Sequence, residues 1–384
     1  MIKQASEQDA ARAARVAAEL SERKLDGLLV AAPINLRYLT GFTGSNGLAL
    51  LFAGGGGGGD GGSGQADAQR AEHRFFTDFR YTIQSGEQVP PAFAREIVSG
   101  SLVEAAVRSL DGAGGRLGFD QASVTVADHE RLRAALPEGW ELAPAAGLIE
   151  GLRAVKDAEE IERMRAAAQL ADAALLGVLE AGLVGRSERD VAIELELGMR
   201  RLGAEAPSFS SIVAAGAHGA LPHAEPRVEP IPRDVLVTID WGALHEGYCS
   251  DCTRTYATGE GISAQAREIY ELVLAAQLAG VAAVQAGPTG REVDAVARAV
   301  IEQAGQGEHF GHGLGHGVGL DIHEAPRLSR VESDRALVAG NVVTVEPGVY
   351  LPGALGVRIE DLLVVREGGQ EALNGLEKAL TVIS

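Results

Sequence analysis

Two Val- and Ile-rich runs in the last third of this sequence each end in a carboxylate. Val235-Leu236-Val237-Thr238-Ile239 runs into Asp240, and Val342-Val343-Thr344-Val345 runs into Glu346. A charge at the end of an apolar strand is costly to bury unless something pairs with it, so the fold has to bring a partner to both. Three further short segments carry residues of metal-ligand type: Cys249–Arg254 with Asp251, Gly311–Gly317 with His316, and Gly356–Asp361 with Glu360. Taken singly, each reads equally well as an ordinary loop or exposed strand charge. Together, four carboxylates and one imidazole form a hard, mostly oxygen donor set, which suits Mn²⁺, Co²⁺, Zn²⁺ or Mg²⁺ better than copper or an iron–sulfur cluster. More carboxylates than one ion needs points to a pair of ions sharing bridging oxygens.

The spacing supports convergence. Gly242 and Gly247 permit a turn from the strand ending at Asp240 into a second strand carrying Asp251, eleven residues on. Glu360 is expected within a strand over about 357–366, and Arg358, two residues before it, shares its face. Arg358 can then pair with a carboxylate of the site or with substrate. His312, His316 and His323 fall in Gly-His-Gly-Leu-Gly-His-Gly-Val-Gly-Leu-Asp-Ile-His-Glu, where glycine occupies the odd positions from 311 to 319. Such glycines let backbone approach a ligand closely or bend sharply. Three histidines can divide the work, one binding metal while the others hold substrate and move protons.

A chain of 384 residues suggests two domains. Residues 1–150 alternate helix-like runs (about 7–24, 101–110, 125–136) with strand-like runs (27–32, 48–52, 74–79, 116–119), an α/β pattern. Residues 151–384 group their helices (157–181, a capped one from Ser187 to about 202, 264–286, 290–304) and their strands (210–214, 234–240, 247–256, 342–346, 357–366). That is an α+β pattern with largely antiparallel pairing. The glycine-rich tract Gly54–Gly64 lacks the Gly-Lys-Ser/Thr of a phosphate loop and reads as an insertion in a hairpin. The net charge of −19 argues against nucleic acid and anionic membrane as partners. The start shows no signal peptide, and no apolar run approaches the ~20 residues of a membrane span. Cys249 and Cys252 cannot build a disulfide framework, which suggests a reducing, cytoplasmic setting. Their Cys-x-x-Cys spacing lies in a strand-like run rather than at a helix start, so a structural role is expected over a redox one.

The joint pattern resembles the pita-bread metallopeptidases, the family of methionine aminopeptidase, aminopeptidase P and prolidase. The resemblance covers residues 155–370, with all five ligand positions matched. It implies that Asp240, Asp251, His316, Glu346 and Glu360 hold two divalent ions, Mn²⁺ foremost, with Co²⁺ or Zn²⁺ as alternatives, and that Asp251 and Glu360 bridge them. It implies a proton-shuttling role for His323, a substrate-holding role for His223 near the leaving group, and a supporting role for His312. Arg358 matches an arginine near the site in the proline-specific branch. Glu346 is expected to assist as general base. Asn35–Gly47 and Phe76–Tyr81 resemble the accessory domain of aminopeptidase P, prolidase and creatinase, which methionine aminopeptidase lacks. The expected fold is therefore an α/β accessory domain followed by an α+β pita-bread catalytic domain, in a homodimer or higher homo-oligomer. The expected activity is Xaa-Pro aminopeptidase, with Xaa-Pro dipeptidase as the alternative. A creatinase-like C–N hydrolase and a non-catalytic binding protein are remoter readings, both disfavoured by the complete ligand set. The expected substrates are peptides with proline in second position, and the sequence does not separate the two exopeptidase activities.

Overall fold

In the computed structural model, which describes residues 7–53, 73–110, 114–331 and 334–384, the chain divides into two compact units, 1–153 and 154–384.

The first unit is built on one six-stranded sheet in the order β4-β3-β2-β1-β5-β6. In chain order its elements are α1 (Glu7–Glu22), β1 (Gly27–Val30), α2 (Pro33–Thr40), β2 (Gly47–Phe52), β3 (His73–Thr77), α3 (Thr82–Gln88), β4 (Phe93–Ile97), α4 (Leu102–Arg108), β5 (Gly115–Phe119), α5 (Val126–Ala135), β6 (Trp140–Pro144) and α6 (Leu148–Arg153). β1, β5 and β6 run parallel, as do β3 and β4, while β2 is antiparallel to both its neighbours. The central strands are short apolar runs buried on both sides, the pattern expected of a sheet covered by helices. β4 and β6, which the sequence reading did not identify, are the two edges. β4 buries only Phe93 of its five residues and carries Arg95 and Glu96, so it shows no apolar run. The expected hairpin is present, since β2 pairs antiparallel with β3. The Gly54–Gly64 tract between them lies outside the described residues.

The second unit begins with α7 (Ala158–Glu180) and α8 (Glu188–Leu202), which pack on each other and bury Leu175, Val178, Val191 and Leu195. A reciprocal capping box of Asp157 and Glu160 starts α7. At α8 the Ser187 hydroxyl accepts from the Asp190 N–H at 3.0 Å. The strands follow as β7 (Ala206–Pro207), β8 (Ile212–Ala215), β9 (Leu236–Trp241), β10 (Ala243–His245), β11 (Tyr248–Cys249) and β12 (Cys252–Ala257). α9 (Ala264–Ala283) and α10 (Gly290–Gln303) come next, then β13 (Gly315–Gly317), β14 (Glu324–Leu328), β15 (Val342–Val345), β16 (Gly348–Leu351), β17 (Leu355–Arg358), β18 (Asp361–Arg366) and β19 (Gly369–Ala372). Every ladder between these strands is antiparallel. The turn after β10 uses Glu246 (φ 47°) and Gly247 (φ 85°), a two-residue hairpin loop with positive φ at both positions.

Two expected strands are each broken. The run 247–256 is β11 and β12, interrupted at Ser250-Asp251. The run 357–366 is β17 and β18, interrupted at Ile359-Glu360. Both breaks fall at residues whose side chains turn toward the same point, which an uninterrupted ladder would not permit. Both cysteines are buried and neither is in a disulfide. Among the described residues no helix is long and apolar enough to cross a membrane.

Candidate metal centre

Register on the β9–β12 ladder places Asp240 opposite Thr253. Thr253 then anchors Glu360 twice: its carbonyl accepts from the Glu360 N–H at 3.0 Å, and its hydroxyl donates to Glu360 Oε2 at 2.6 Å. Asp251 sits just before β12, buried. One carboxylate oxygen each from Asp240, Asp251 and Glu360 lies within 4.8 Å of the others. His316 enters from β13. Its Nδ1 donates to the Gly317 carbonyl at 3.1 Å, which leaves Nε2 for the acids. That Nε2 is 3.3 Å from Glu346 Oε1 and 3.7 Å from Asp251 Oδ2. Glu346, just past the end of β15, is further held by the Thr344 hydroxyl at 3.0 Å. The five residues of metal-ligand type singled out in the sequence thus meet at one place.

Their electrostatics is that of a site short of positive charge. Burial pushes the Asp251 and Glu360 carboxyls well above the usual range, and repulsion among the neighbouring carboxylates adds to it. Asp240 is raised by burial, against the pull of Arg358. Glu346 goes the other way: burial raises it, but its hydrogen bond to His316 and the nearby cationic groups outweigh this and hold it at about 2. His316 is raised, since the Glu346 bond overcomes the desolvation of its cation. Asp240 Oδ1 and Glu360 Oε1 are buried with no hydrogen-bond donor. Buried carboxylate oxygens left without donors are costly. Divalent cations satisfy such oxygens, so the residues present fit a metal centre of hard, oxygen-rich character.

The other expected residues line the same cavity, about 640 Å³ in volume. Arg358 is spent inside the site: it donates to Asp240 Oδ2 at 2.7 Å, the Tyr350 hydroxyl at 2.8 Å, the Pro222 carbonyl at 3.1 Å and Thr253 Oγ1 at 3.2 Å. Tyr350 passes the chain on, because its hydroxyl lies 3.0 Å from His312 Nε2 while His312 Nδ1 meets the Gly313 carbonyl at 2.8 Å. Each His312 nitrogen is therefore engaged by the protein, and burial holds its pKa down. The His323 ring stands edge-on to His316, centroids 4.4 Å apart, at the exposed side of the cavity. Its pKa is lowered by burial and then by the His316 charge. His223 lies on the opposite chain segment of the wall, exposed, after Leu221-Pro222.

Within 311–319, Gly313 and Gly315 line the cavity, and Gly315 and Gly317 also answer to strand packing. A Cβ on Gly315 would lie 2.0 Å from the Thr344 carbonyl oxygen, and one on Gly317 would lie 2.3 Å from that of Ala325. These two glycines admit adjacent strands. Four residues that sequence reasoning missed also shape the site. Thr253 and Tyr350 orient Glu360 and Arg358. Arg254 grips the Glu360 carbonyl from behind. Arg327, on β14 opposite His316, lines the cavity with no acidic partner among the described residues. No single position announces these, because a Thr, Tyr or Arg within a strand carries no motif.

Models of two families match the chain: metallopeptidase family M24 over residues 162–367, and the creatinase/prolidase N-terminal domain over residues 12–155. A Bacillus subtilis protein, the uncharacterized peptidase YqhT, is 42% identical over 362 residues, 94% of this chain and 96% of its own. Among solved structures, an Xaa-Pro dipeptidase from Bacillus anthracis is similar with a TM-score of 0.88 at 38% identity, covering 97% of this chain and 99% of its own. An X-Pro aminopeptidase from Thermotoga maritima gives 0.82 at 32% identity, covering 94% of this chain and 98% of its own.

Proposed function

This chain belongs to metallopeptidase family M24, and from that premise we propose that it is an Xaa-Pro exopeptidase acting by preference on dipeptides. Asp240, Asp251, His316, Glu346 and Glu360 would hold two divalent ions. The oxygen-rich donor set favours Mn²⁺, with Co²⁺ or Zn²⁺ as alternatives. When bound, the ions supply Lewis acidity and a water of lowered pKa.

The protein groups supply the rest. Glu346, held at about 2, is ionised at neutral pH and accepts the proton of the attacking water. His323, with its cation disfavoured, offers an uncharged N–H to the developing oxyanion. The tertiary-amide Xaa-Pro nitrogen has no N–H of its own and needs a proton to leave, which Glu346 passes on from the attacking water. His223, on the far wall, is placed to hold the substrate there. Arg358, locked to Asp240 and Tyr350, fixes the Asp240 carboxylate rather than meeting substrate.

The observation that carries the dipeptide preference is Arg327, a cavity-lining cation with no acidic partner among the described residues. A dipeptide ends in a carboxylate within the span of such a cavity, whereas a longer peptide presents an amide there. The Bacillus anthracis relative's activity, as its name states it, agrees with this reading. The Thermotoga maritima relative supports the aminopeptidase as the second reading. The test is kcat/KM of the Mn²⁺-loaded protein on Xaa-Pro dipeptides beside Xaa-Pro-Xaa tripeptides. The dipeptides should be preferred at least about tenfold, one good charge-assisted contact, and Arg327→Met should erase that preference. Faster cleavage of tripeptides would make the aminopeptidase reading the correct one.

A further inference from the structure

We infer that Glu188 is the positioning residue of the substrate-facing wall, a single buried carboxylate that holds both ends of the segment carrying His223. Glu188 is the first residue of α8, outside the cavity, and is 1% exposed. Its two oxygens receive five donors. Oε1 accepts from the Ala215 N–H at 2.9 Å and from Arg227 Nη2 at 3.2 Å. Oε2 meets His218 Nδ1 at 2.8 Å, and accepts from the Arg227 N–H at 3.0 Å and Arg227 Nε at 3.2 Å. Burial opposes the charge, but the Arg227 and Ala215 bonds keep this carboxyl below the usual range.

Ala215 ends β8, and Arg227 begins the return of the chain past the start of α8. There the Arg189 N–H reaches the Arg227 carbonyl at 2.9 Å, and the Ile231 N–H reaches the Arg186 carbonyl at 2.8 Å. One carboxylate therefore closes a thirteen-residue loop at its base, from 215 to 227. The second half of that loop, 222–226, lines the cavity. Gly219 presses so closely on β17 that a Cβ on Gly356 would lie 1.8 Å from its carbonyl oxygen. Pro222 gives its carbonyl to Arg358. His223, Glu225 and Pro226 line the cavity. A loop holds its side chains no better than the contacts that anchor it, and Glu188 supplies those at the base and at His218. Freeing this one would let His223 and the wall drift while the metal-ligating carboxylates, on other strands, stay in place.

The inference rests on the Xaa-Pro peptidase reading for what the wall contacts. It is tested with full-length, metal-loaded protein carrying Glu188→Gln, which keeps the size and removes the charge. Three quantities are read: metal ions per chain, kcat and KM on an Xaa-Pro dipeptide, and amide hydrogen exchange of 215–227. Expected are unchanged metal content, faster exchange confined to that segment, and a KM raised about tenfold with kcat changed less, the scale of one lost hydrogen bond to a charged group. Arg227→Gln, at a residue whose side chain is 45% exposed, removes two donors without burying anything new. It should move the same readouts in the same direction, by about threefold. Unchanged exchange, or faster exchange with unchanged KM, overturns the positioning role. Loss of metal in step with activity overturns it too, by making Glu188 a general support of the fold. A wild-type protein that cleaves no Xaa-Pro peptide refutes the peptidase reading and takes the substrate role with it. Active wild type with indifferent variants refutes the positioning role alone.

Discussion

Two faces of the same pair of segments show what separates a binding site from a structural core. Thr253 and Arg254 are neighbours on β12, and Glu360 and Asp361 are neighbours where β18 begins. Successive side chains in extended backbone point opposite ways, so Thr253 and Glu360 face the cavity while Arg254 and Asp361 face the interior behind it. Glu360 and Asp361 are equally buried, at 1% and 3% exposure. Behind, the Arg254 and Asp361 charges are both answered. Asp361 Oδ1 accepts from Arg254 Nη2 at 2.9 Å, and Oδ2 accepts from Gln277 at 3.0 Å and from Lys378 at 2.6 Å. Arg254 also caps the carbonyls of Leu376, Glu377 and Thr253. In front, Glu360 Oε1 has no donor, and two more acids crowd it. Burial would raise both carboxyls. Asp361 is nevertheless lowered, by Arg254 and Lys378, whereas Glu360 is raised well above the usual range. Burial alone does not distinguish the faces; the count of donors does. A cluster that the protein leaves unneutralised is one that something else must neutralise.

The largest expected effect breaks the front face. Asp251→Ala should remove the metal and lower kcat/KM by at least about 10⁴-fold, because the activated water goes with the ions. The metal-free protein should be no less stable than wild type, since a repelling charge has been removed. Metal analysis and urea denaturation of the purified variant check both halves. Two tightly bound ions per chain would show that Asp251 is not a ligand, and the contrast between the faces would collapse.

The rear face should respond in the opposite sense. Arg254→Met leaves the buried Asp361 with fewer partners and strips the Glu360 carbonyl of a donor. Removing one member of a buried ion pair costs about 3–5 kcal/mol, to be read as a shift of the urea midpoint of the metal-free protein. A loss below about 1 kcal/mol would mean that the network behind the site contributes no more than surface pairs do.

A smaller effect sharpens the front face by separating ligands from their neighbours. His323 touches His316 by ring contact and shares no hydrogen bond with the carboxylates. His323→Ala should lower kcat roughly 10²-fold, the contribution of one oxyanion donor, while the metal content stays at the wild-type value. Parallel loss of metal and rate would instead place His323 among the ligands.

These faces were not equally legible in the sequence. Asp240 and Glu346 stand out because each ends an apolar strand, where an unpaired carboxylate has no cheap explanation. Asp251, Glu360 and His316 become specific only through spacing and the joint pattern of four acids and one histidine, and the division into an α/β and an α+β half follows from how helices and strands alternate or group. The rear face has no break. Arg254 and Asp361 sit in strands whose neighbours alternate normally; they are 107 residues apart, and the carbonyls of 376 and 377 that Arg254 reaches lie 122 and 123 residues beyond it. Glu188 looks like an ordinary acid in the first turn of a capped helix, and only the fold brings Ala215, His218 and Arg227 to it. The strand breaks at Asp251 and Glu360 are invisible because strand-forming residues continue on both sides, Tyr248 and Thr253 about Asp251, Ile359 and Leu362 about Glu360. Gly315 and Gly317 are legible as special, but their reason, carbonyl groups of facing strands, is a tertiary one.

The smallest expected effect puts the two faces on one titration. The folded-state pKa of Glu360 lies above its unfolded value of about 4.3, so between the two the metal-free native state keeps a proton that the unfolded chain has lost. Its contribution to stability is complete below about pH 4.3 and is lost as pH rises toward the folded value. Asp361 is displaced downward, so its contribution is present above about pH 3.9 and is lost as pH falls through the folded value. Glu360→Gln should therefore change little near pH 4 and become progressively more stable than wild type as pH rises toward 7. Asp361→Asn should lose its disadvantage as pH falls below 4. One group changes the slope by at most about 1.4 kcal/mol per pH unit, so urea midpoints of chelator-treated protein at half-unit steps suffice to resolve it. If Glu360→Gln and wild type keep a constant gap from pH 4 to 7, Glu360 is ionised throughout. The front face would then be neutralised from within the protein, and the case for a metal there would have to rest on geometry alone.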